Sequence, residues 1–286
     1  MCLADSCTVT TDITPTIQNI LRQAGTALGS RLEAEILLAH VLGKDRGWLY
    51  AYATSTPDEQ IRLAFADLLE RRQAGEPIAY LTGKREFFGR DFLVNCDVLI
   101  PRPETEHLVE QALALVLPMD AKVVDVGTGS GCIALTLAAE RPAWHVMAVD
   151  LCPKALAVAR RNRDLLRLDK VEIRQGDLLD GLSSASFDLI VSNPPYVADG
   201  DPHLNRGDLC FEPSIALSCG ENGLALIARL ARQASSALRS GGWLVVEHGH
   251  EQGEQVGKLF AQAGFQQVES CRDLAGLPRV SLGQLP

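Results

Sequence analysis

Four consecutive residues, Asn193-Pro194-Pro195-Tyr196, carry the most specific chemistry in this chain. They follow Phe187-Asp188-Leu189-Ile190-Val191-Ser192, an apolar run of strand length. In a parallel sheet the carboxyl ends of strands border a ligand crevice. The two prolines end the strand, hold their own φ angles and offer no N–H. What remains to face a crevice is a set of acceptors, the Asn193 side-chain oxygen and the Pro194 carbonyl, with the Tyr196 ring behind them. Such a surface suits a neutral planar group with two N–H donors: a carboxamide NH2 or the exocyclic amine of a base. The plainer reading is a strand stop with Tyr196 packed in the core.

A second constellation lies upstream. Val124-Asp125-Val126-Gly127-Thr128-Gly129-Ser130-Gly131 joins an apolar strand to a helix, and its glycines permit a tight turn that a ligand can approach closely. The helix start then offers free N–H groups. The spacing is not that of a dinucleotide loop: G-x-G-x-x-G would require glycine at 132, which is Cys132. An NAD-dependent oxidoreductase is disfavoured on that ground. Asp150 stands at the end of the next strand, where a carboxylate can accept both ribose hydroxyls. Asp177 takes the same position after the third strand, and Leu178 offers an apolar wall for a base. Together they point to a nucleoside site.

These residues need a sheet to hold them. From residue 121 strands alternate with helices: strands at 123–126, 145–149, 171–174, 189–192 and 243–247, helices at 133–139, 154–168, 224–238 and 255–263. The alternation predicts a doubly wound, mostly parallel α/β sheet. The last two strands, 265–270 and 279–282, are close enough to pair as an antiparallel hairpin. Residues 12–73 read as helices. Ile13, Ile17, Ile20, Leu21, Ala24 and Leu28 share a face, and Leu32, Ile36, Ala39 and Gly43 continue it after Gly29-Ser30. Thr56-Pro57-Asp58-Glu59 reads as a capping box with Thr56 as N-cap. Between the two regions, 87–94 reads as a hairpin around Gly89-Arg90-Asp91. Ile100-Pro101-Arg102-Pro103 reads as extended, with Thr105 capping the helix that follows. The expected domains are a helical domain at 1–76, a linker with a β-hairpin at 77–103 and a catalytic domain at 104–286.

The glycine loop from Gly127 to Gly131, Asp150 and Asp177 resemble the cofactor loop, ribose acid and adenine acid of class I S-adenosylmethionine-dependent methyltransferases. That resemblance implies cofactor contacts from Gly127, Thr128, Gly129, Ser130, Gly131, Asp150, Asp177, Leu178 and Asn193. The Asn-Pro-Pro-Tyr stretch resembles the signature of the branch that methylates planar nitrogens. Pro77-Ile78-Ala79-Tyr80-Leu81-Thr82-Gly83, the run from Leu99 to Glu106, Phe211-Glu212-Pro213 and Glu247-His248-Gly249 extend the likeness. Together they are similar to the bacterial release factor glutamine methyltransferases, from about residue 12 to the C-terminus. Leu178 departs from the tryptophan that some members carry. The resemblance implies methyl transfer to the glutamine amide of the Gly-Gly-Gln motif in class I peptide chain release factors. Asn193, Pro194 and Tyr196 would be catalytic, and Asn193, Pro194, Pro195 and Tyr196 would hold the substrate. A DNA amino-methyltransferase acting on adenine N6 or cytosine N4 is the alternative enzyme, and an inactive cofactor-binding regulatory module the non-enzymatic one.

The net charge of −9 argues against a protein that holds nucleic acid by itself and suits a basic protein partner. The eight cysteines form no C-x-x-C pair and no metal-ligand spacing, so free thiols, a cytoplasmic location and no metal are expected. The first ten residues lack a basic and an apolar signal region, and no run is long enough to span a membrane. A monomer is expected. Asp199–Gly220 is long for a loop and is expected to help hold the substrate. His203 and His248 are expected to be structural or exposed rather than catalytic.

Overall fold

The computed structural model describes residues 15–202, 207–218, 220 and 223–286. The chain forms two compact units, one ending at Thr82 and one beginning at Gly83. The segment read as a linker is thereby shared between them. Ile13 lies outside the described residues.

The first unit is helical: α1 (Ile17–Leu28), α2 (Arg31–Leu42), α3 (Arg46–Ala51), α4 (Glu59–Gln73) and α5 (Ile78–Thr82). Its core gathers Ile17, Leu21, Ala24, Leu37, Leu38, Leu49, Phe65 and Leu68. The face expected for α2 is rotated. Leu32 is 50% exposed, while Ala34, Leu37 and Leu38 are buried, because α2 packs against both α1 and α4. The start of α4 lies two residues later than the Thr56 reading. Asp58 is the N-cap and its carboxylate accepts the Ile61 N–H at 2.9 Å. A Ser, Thr, Asp or Asn can each serve this role, and two candidates stood side by side in the sequence.

The second unit opens with a hairpin, β1 (Lys84–Phe87) and β2 (Arg90–Leu93). Its turn is Phe88-Gly89, both at positive φ, so Arg90 and Asp91 belong to the strand and not to the turn. Then come α6 (Pro103–Ala114), β3 (Lys122–Val126), α7 (Cys132–Glu140), β4 (His145–Asp150), α8 (Pro153–Leu165), β5 (Glu172–Gln175), β6 (Phe187–Ser192), α9 (Ala225–Ala237), β7 (Leu238–Glu247), α10 (Gly253–Gln262), β8 (Gln266–Arg272) and β9 (Pro278–Gln284). The sheet order is β5-β4-β3-β6-β7-β9-β8, with parallel pairing up to β7 and β9 antiparallel to both of its neighbours. The expected doubly wound sheet with a C-terminal antiparallel hairpin is the observed fold. Strand β7 begins at Leu238, five residues before the expected 243, and Gly241-Gly242 lies within it, opposite the register shift at Phe187/Leu189. The central strands are buried on both faces, every residue of β6 among them, which explains their predominantly apolar runs.

Helix α6 starts earlier than its sequence indicated. Pro103 occupies the first helical position, where its missing N–H is no loss, and Arg102 is the N-cap. Thr105 is therefore a buried residue of the first turn and not a cap. On α8, buried Asn162 pairs with both backbone groups of Leu93 and with the Ser130 carbonyl. One side chain thus ties the hairpin to the loop after β3.

Candidate active site

Strands β3, β4 and β6 end side by side, and Ser192 closes the junction by donating to the Val126 carbonyl at 2.7 Å. Beyond these ends lies a cleft of about 270 Å³. Its walls bring together Gly127, Thr128, Gly129 and Ser130 with Asp150, Asp177, Leu178, Asn193 and Pro195. Gly131, Pro194 and Tyr196 do not line it. The loop is left-handed at Gly127, Gly129 and Gly131, with φ of 73°, 56° and 84°. Gly129 has open space where a Cβ would stand, so a ligand can reach its backbone. Gly131 works the other way: a Cβ there would come within 3.0 Å of the Leu135 side chain, so it serves packing.

Asp150 accepts the Gly129 N–H at 2.8 Å through one oxygen and the Cys152 N–H at 2.8 Å through the other. It thereby fixes the loop while each oxygen keeps a further lone pair for a hydroxyl donor. Burial pushes its carboxyl upward, against these backbone bonds. Asp177 pairs with Arg229 at 2.8 Å. It lies two residues beyond the end of β5, and the buried Leu178 after it is held at φ 53°.

At Asn193 the side-chain NH2 donates to Thr105 Oγ1 at 3.0 Å. The amide is thus oriented by a neighbour that also lines the cleft. Tyr196 points its hydroxyl at Glu247 Oε1, 3.3 Å away. Its carbonyl accepts from Gln252 at 2.9 Å, and a Cβ at Gly223 would stand 2.0 Å from that carbonyl oxygen. The backbone after the prolines is therefore held on two sides. Glu247 ends β7, next to β6. Burial pushes its carboxyl up to about 7, opposed by hydrogen bonds from Thr105 and Tyr196 and by Arg279. Its Oε2 is buried without a hydrogen-bond partner in ordinary geometry.

Sequence reading missed Asp125, Thr105 and Glu247 as parts of the site. Asp125 is fully buried beneath the loop, accepts from the Thr128 hydroxyl at 2.6 Å and the Ala134 N–H at 3.1 Å, and leaves Oδ1 unpartnered. Burial raises its carboxyl to about 7. Its signal was a carboxylate inside the apolar run Val123-Val124-Asp125-Val126.

The segment from Asp199 to Gly220 carries two short 3-10 turns, Gly207–Phe211 and Ser214–Ala216. Glu212 anchors it: one carboxylate oxygen accepts the Ile100 N–H at 3.0 Å and the other accepts from Arg102. Pro213, Ile215 and Ala216 then form one rim of the cleft. His203 lies outside the described residues. His248 is buried between the Gly249 carbonyl at 2.9 Å and the Ser281 hydroxyl at 2.8 Å, and burial lowers its pKa; it is structural. No group of three or more potential metal ligands occurs among the described residues, and no helix there is long and apolar enough to cross a membrane.

A family model described as "Methyltransferase small domain" matches residues 105–212, and the "PrmC N-terminal domain" model matches residues 16–83. The release factor glutamine methyltransferase of Salmonella typhimurium is 47% identical over 254 residues, covering 89% of this chain and 92% of that protein. The same-named protein of Escherichia coli K12 is 46% identical over 272 residues, covering 93% and 98%. That of Xylella fastidiosa Temecula1 is 45% identical over 267 residues, covering 93% and 97%. Among solved structures, a methyltransferase from Pyrococcus furiosus has a similar fold, with a TM-score of 0.53 at 18% identity over 77% of this chain and 98% of that one. The chain belongs to the release factor glutamine methyltransferase family.

Proposed function

We propose that this enzyme transfers a methyl group from S-adenosylmethionine to the side-chain amide nitrogen of the glutamine in the Gly-Gly-Gln motif of class I release factors, and so modulates translation termination. The observation that carries the reading is the anchored amide of Asn193. With its NH2 given to Thr105, the free face of the side chain is the acceptor oxygen, as a substrate carboxamide requires. Family membership supports the same substrate. The DNA alternative is not favoured: the relatives are named for protein methylation, and the chain is acidic.

The residues present fit the cofactor. Gly129 leaves its backbone open to a ligand, Asp150 and Asp177 offer acceptors for hydroxyl and amine donors, and Leu178 supplies an apolar wall. When bound, S-adenosylmethionine supplies an activated methyl group on a sulfonium. Asn193 Oδ1, on the cleft wall, accepts one amide N–H bond of the substrate, and we assign the second to the Pro194 carbonyl, which lies behind that wall. They thereby hold its nitrogen lone pair towards that methyl group and stabilise positive charge as the N–C bond forms and the S–C bond breaks. The nitrogen then loses a proton, which its positive charge has made acidic, and no strong base is required. Tyr196, expected to pack on the amide plane, instead lies behind the cleft wall, packed against the core and tied by its hydroxyl to Glu247, where it supports the backbone that carries the acceptors. Arg102 and the Pro213–Ala216 rim hold the flanking peptide, and the helical unit takes the body of the release factor, in the cytoplasm.

Asn193→Ala should lower kcat at least about tenfold, a loss of at least ~1.4 kcal/mol of transition-state stabilisation, with cofactor affinity nearly unchanged. The decisive assay incubates the protein with methyl-labelled S-adenosylmethionine and a release factor, beside the same factor with its Gly-Gly-Gln glutamine replaced. Label that depends on that glutamine is expected. Equal labelling of both factors, or labelling of neither, overturns the reading.

A further inference from the structure

We propose that Arg229 is a positioning residue that holds Asp177 where it reads the amine of the cofactor's base. The inference rests on the S-adenosylmethionine reading above and deepens it by naming what gives the site its choice of base.

Asp177 and Leu178 both need an outside restraint. Asp177 follows β5 on a loop, lines the cleft and has a side chain that is 42% exposed. A carboxylate so open to water has several rotamers, and a ligand that requires one of them must order it on binding. Leu178 lines the cleft as well and is held at φ 53°. A leucine takes that left-handed conformation only where its surroundings impose it.

Helix α9 supplies the restraint. Leu226, Arg229 and Gln233 recur at spacings of three and four, so they lie along one stripe of the helix. Leu226 reaches the cleft wall. One turn on, Arg229 Nη2 pairs with Asp177 Oδ2 at 2.8 Å and with Asp180 Oδ2 at 2.9 Å. A further turn on, Gln233 donates to Asp180 Oδ1 at 2.6 Å and accepts the Leu179 N–H at 3.1 Å. The Asp180 N–H closes the loop on the Asp177 carbonyl at 3.1 Å. Asp177, Leu179 and Asp180 are thus each bonded to α9, and Leu178 is pinned between them. Arg229 itself stands outside the cleft, so it acts on a ligand through Asp177.

The consequence is chemical selection. Arg229 engages one oxygen of Asp177, and the carboxylate keeps acceptor capacity for a second donor. The exocyclic amine of adenine is such a donor. A base with a 6-oxo group sets an acceptor at that position and meets a carboxylate lone pair instead. A carboxylate held in place rejects that base, whereas one free to swing into water tolerates it. An ion pair at so open a site adds little to stability, and here its effect falls on recognition.

The test compares S-adenosylhomocysteine with S-inosylhomocysteine, the same molecule with the base amine replaced by oxygen. Calorimetry on the full chain gives the dissociation constants. The wild-type protein should bind the adenosyl compound at least about tenfold more tightly, the difference set by one hydrogen bond to a charged acceptor. Arg229→Met keeps the length of the side chain and removes its charge and donors. It should weaken the adenosyl compound about fivefold and leave the inosyl compound within about twofold, so the preference for adenine shrinks. Arg229→Lys restores the cation and should recover part of the preference. Equal weakening of both compounds in Arg229→Met would assign Arg229 to loop structure alone and overturn the proposal. So would a preference that Arg229→Met leaves unchanged. Equal binding of both compounds by the wild-type protein shows that Asp177 does not read the amine, which overturns the proposal and leaves the cofactor reading standing. Binding of neither compound takes down the cofactor reading, and the proposal with it.

Discussion

Glu35 in the helical unit and Glu247 in the α/β unit are the same residue, 2% and 1% exposed, and each accepts a tyrosine hydroxyl. Their carboxyls nevertheless titrate at opposite ends of the scale. Burial pushes Glu35 upward, but Tyr50 at 2.7 Å, Arg31 at 2.9 Å and Arg46 at 2.8 Å outweigh it and hold the group at about 2. Burial pushes Glu247 upward too, and there the close partners are hydroxyls, so the group rises to about 7. Both carboxyls are covered, but Glu247 lies much deeper than Glu35, and depth together with the identity of the neighbours decides the sign. Glu35 is a staple that ties α2 to α3. Glu247 costs stability and stands beside the cleft-lining Thr105.

The comparison can be broken most strongly at Glu247. Its ordinary value is 4.5 and its folded value about 7, so between these the folded state binds a proton that the unfolded state lacks. Stability therefore falls as pH rises from about 4.5 to 7 and then levels, by up to ~3 kcal/mol. Asp125 adds to the same slope. Glu104 reinforces the effect and Arg279 opposes it. Glu247→Gln should flatten this part of the profile and raise the unfolding free energy at pH 8, as read by urea unfolding across pH. A profile parallel to wild type would show that Glu247 is ionised at little cost.

Glu35 should do the reverse. Its folded value lies below the ordinary 4.5, so its contribution is present above pH 4.5 and is lost as pH falls towards about 2. The two arginines are about half exposed, so the contribution is discounted to ~1–2 kcal/mol. Glu35→Gln should lower the protection of helical-unit amides in hydrogen exchange by that amount at pH 7, with α/β-unit amides unaffected. A loss shared by both units would contradict the separation.

The smallest test applies one change to both places. Tyr50→Phe should cost about 1 kcal/mol, since it removes a short hydrogen bond to an ionised carboxylate at a partly solvated site. Tyr196→Phe removes a longer bond and should cost ~0.5 kcal/mol below pH 6. It should also move the Glu247 midpoint upward, which 13C-carboxyl chemical shifts would follow. A downward movement would mean that Tyr196 is not a donor to Glu247.

Much of the catalytic unit was legible in order. The strand-helix alternation, the glycine loop, Asp150 at a strand end and the Asn-Pro-Pro-Tyr stretch after β6 are local patterns, and local patterns reach a reader one residue at a time. Boundaries were less so: Thr56 and Asp58 are both competent caps, and the helix uses Asp58. Thr105 was read as a cap because the type and place were right, yet Pro103 began the helix first and left its hydroxyl for another use. Asp125 was passed over as one polar letter in an apolar strand.

By itself the sequence determined which groups are available: three glycines able to turn left-handed, two carboxylates after strands, an asparagine followed by residues that cannot donate. It could not determine which of them meet. Asn193 lies 88 residues from Thr105 and Tyr196 lies 51 from Glu247. Those encounters follow from the order β3-β6-β7 and the register that sets Ser192 beside Val246. Hydrogen-bond polarity depends on such encounters because an amide, a hydroxyl and a carboxylate acquire direction only from the partner across the contact.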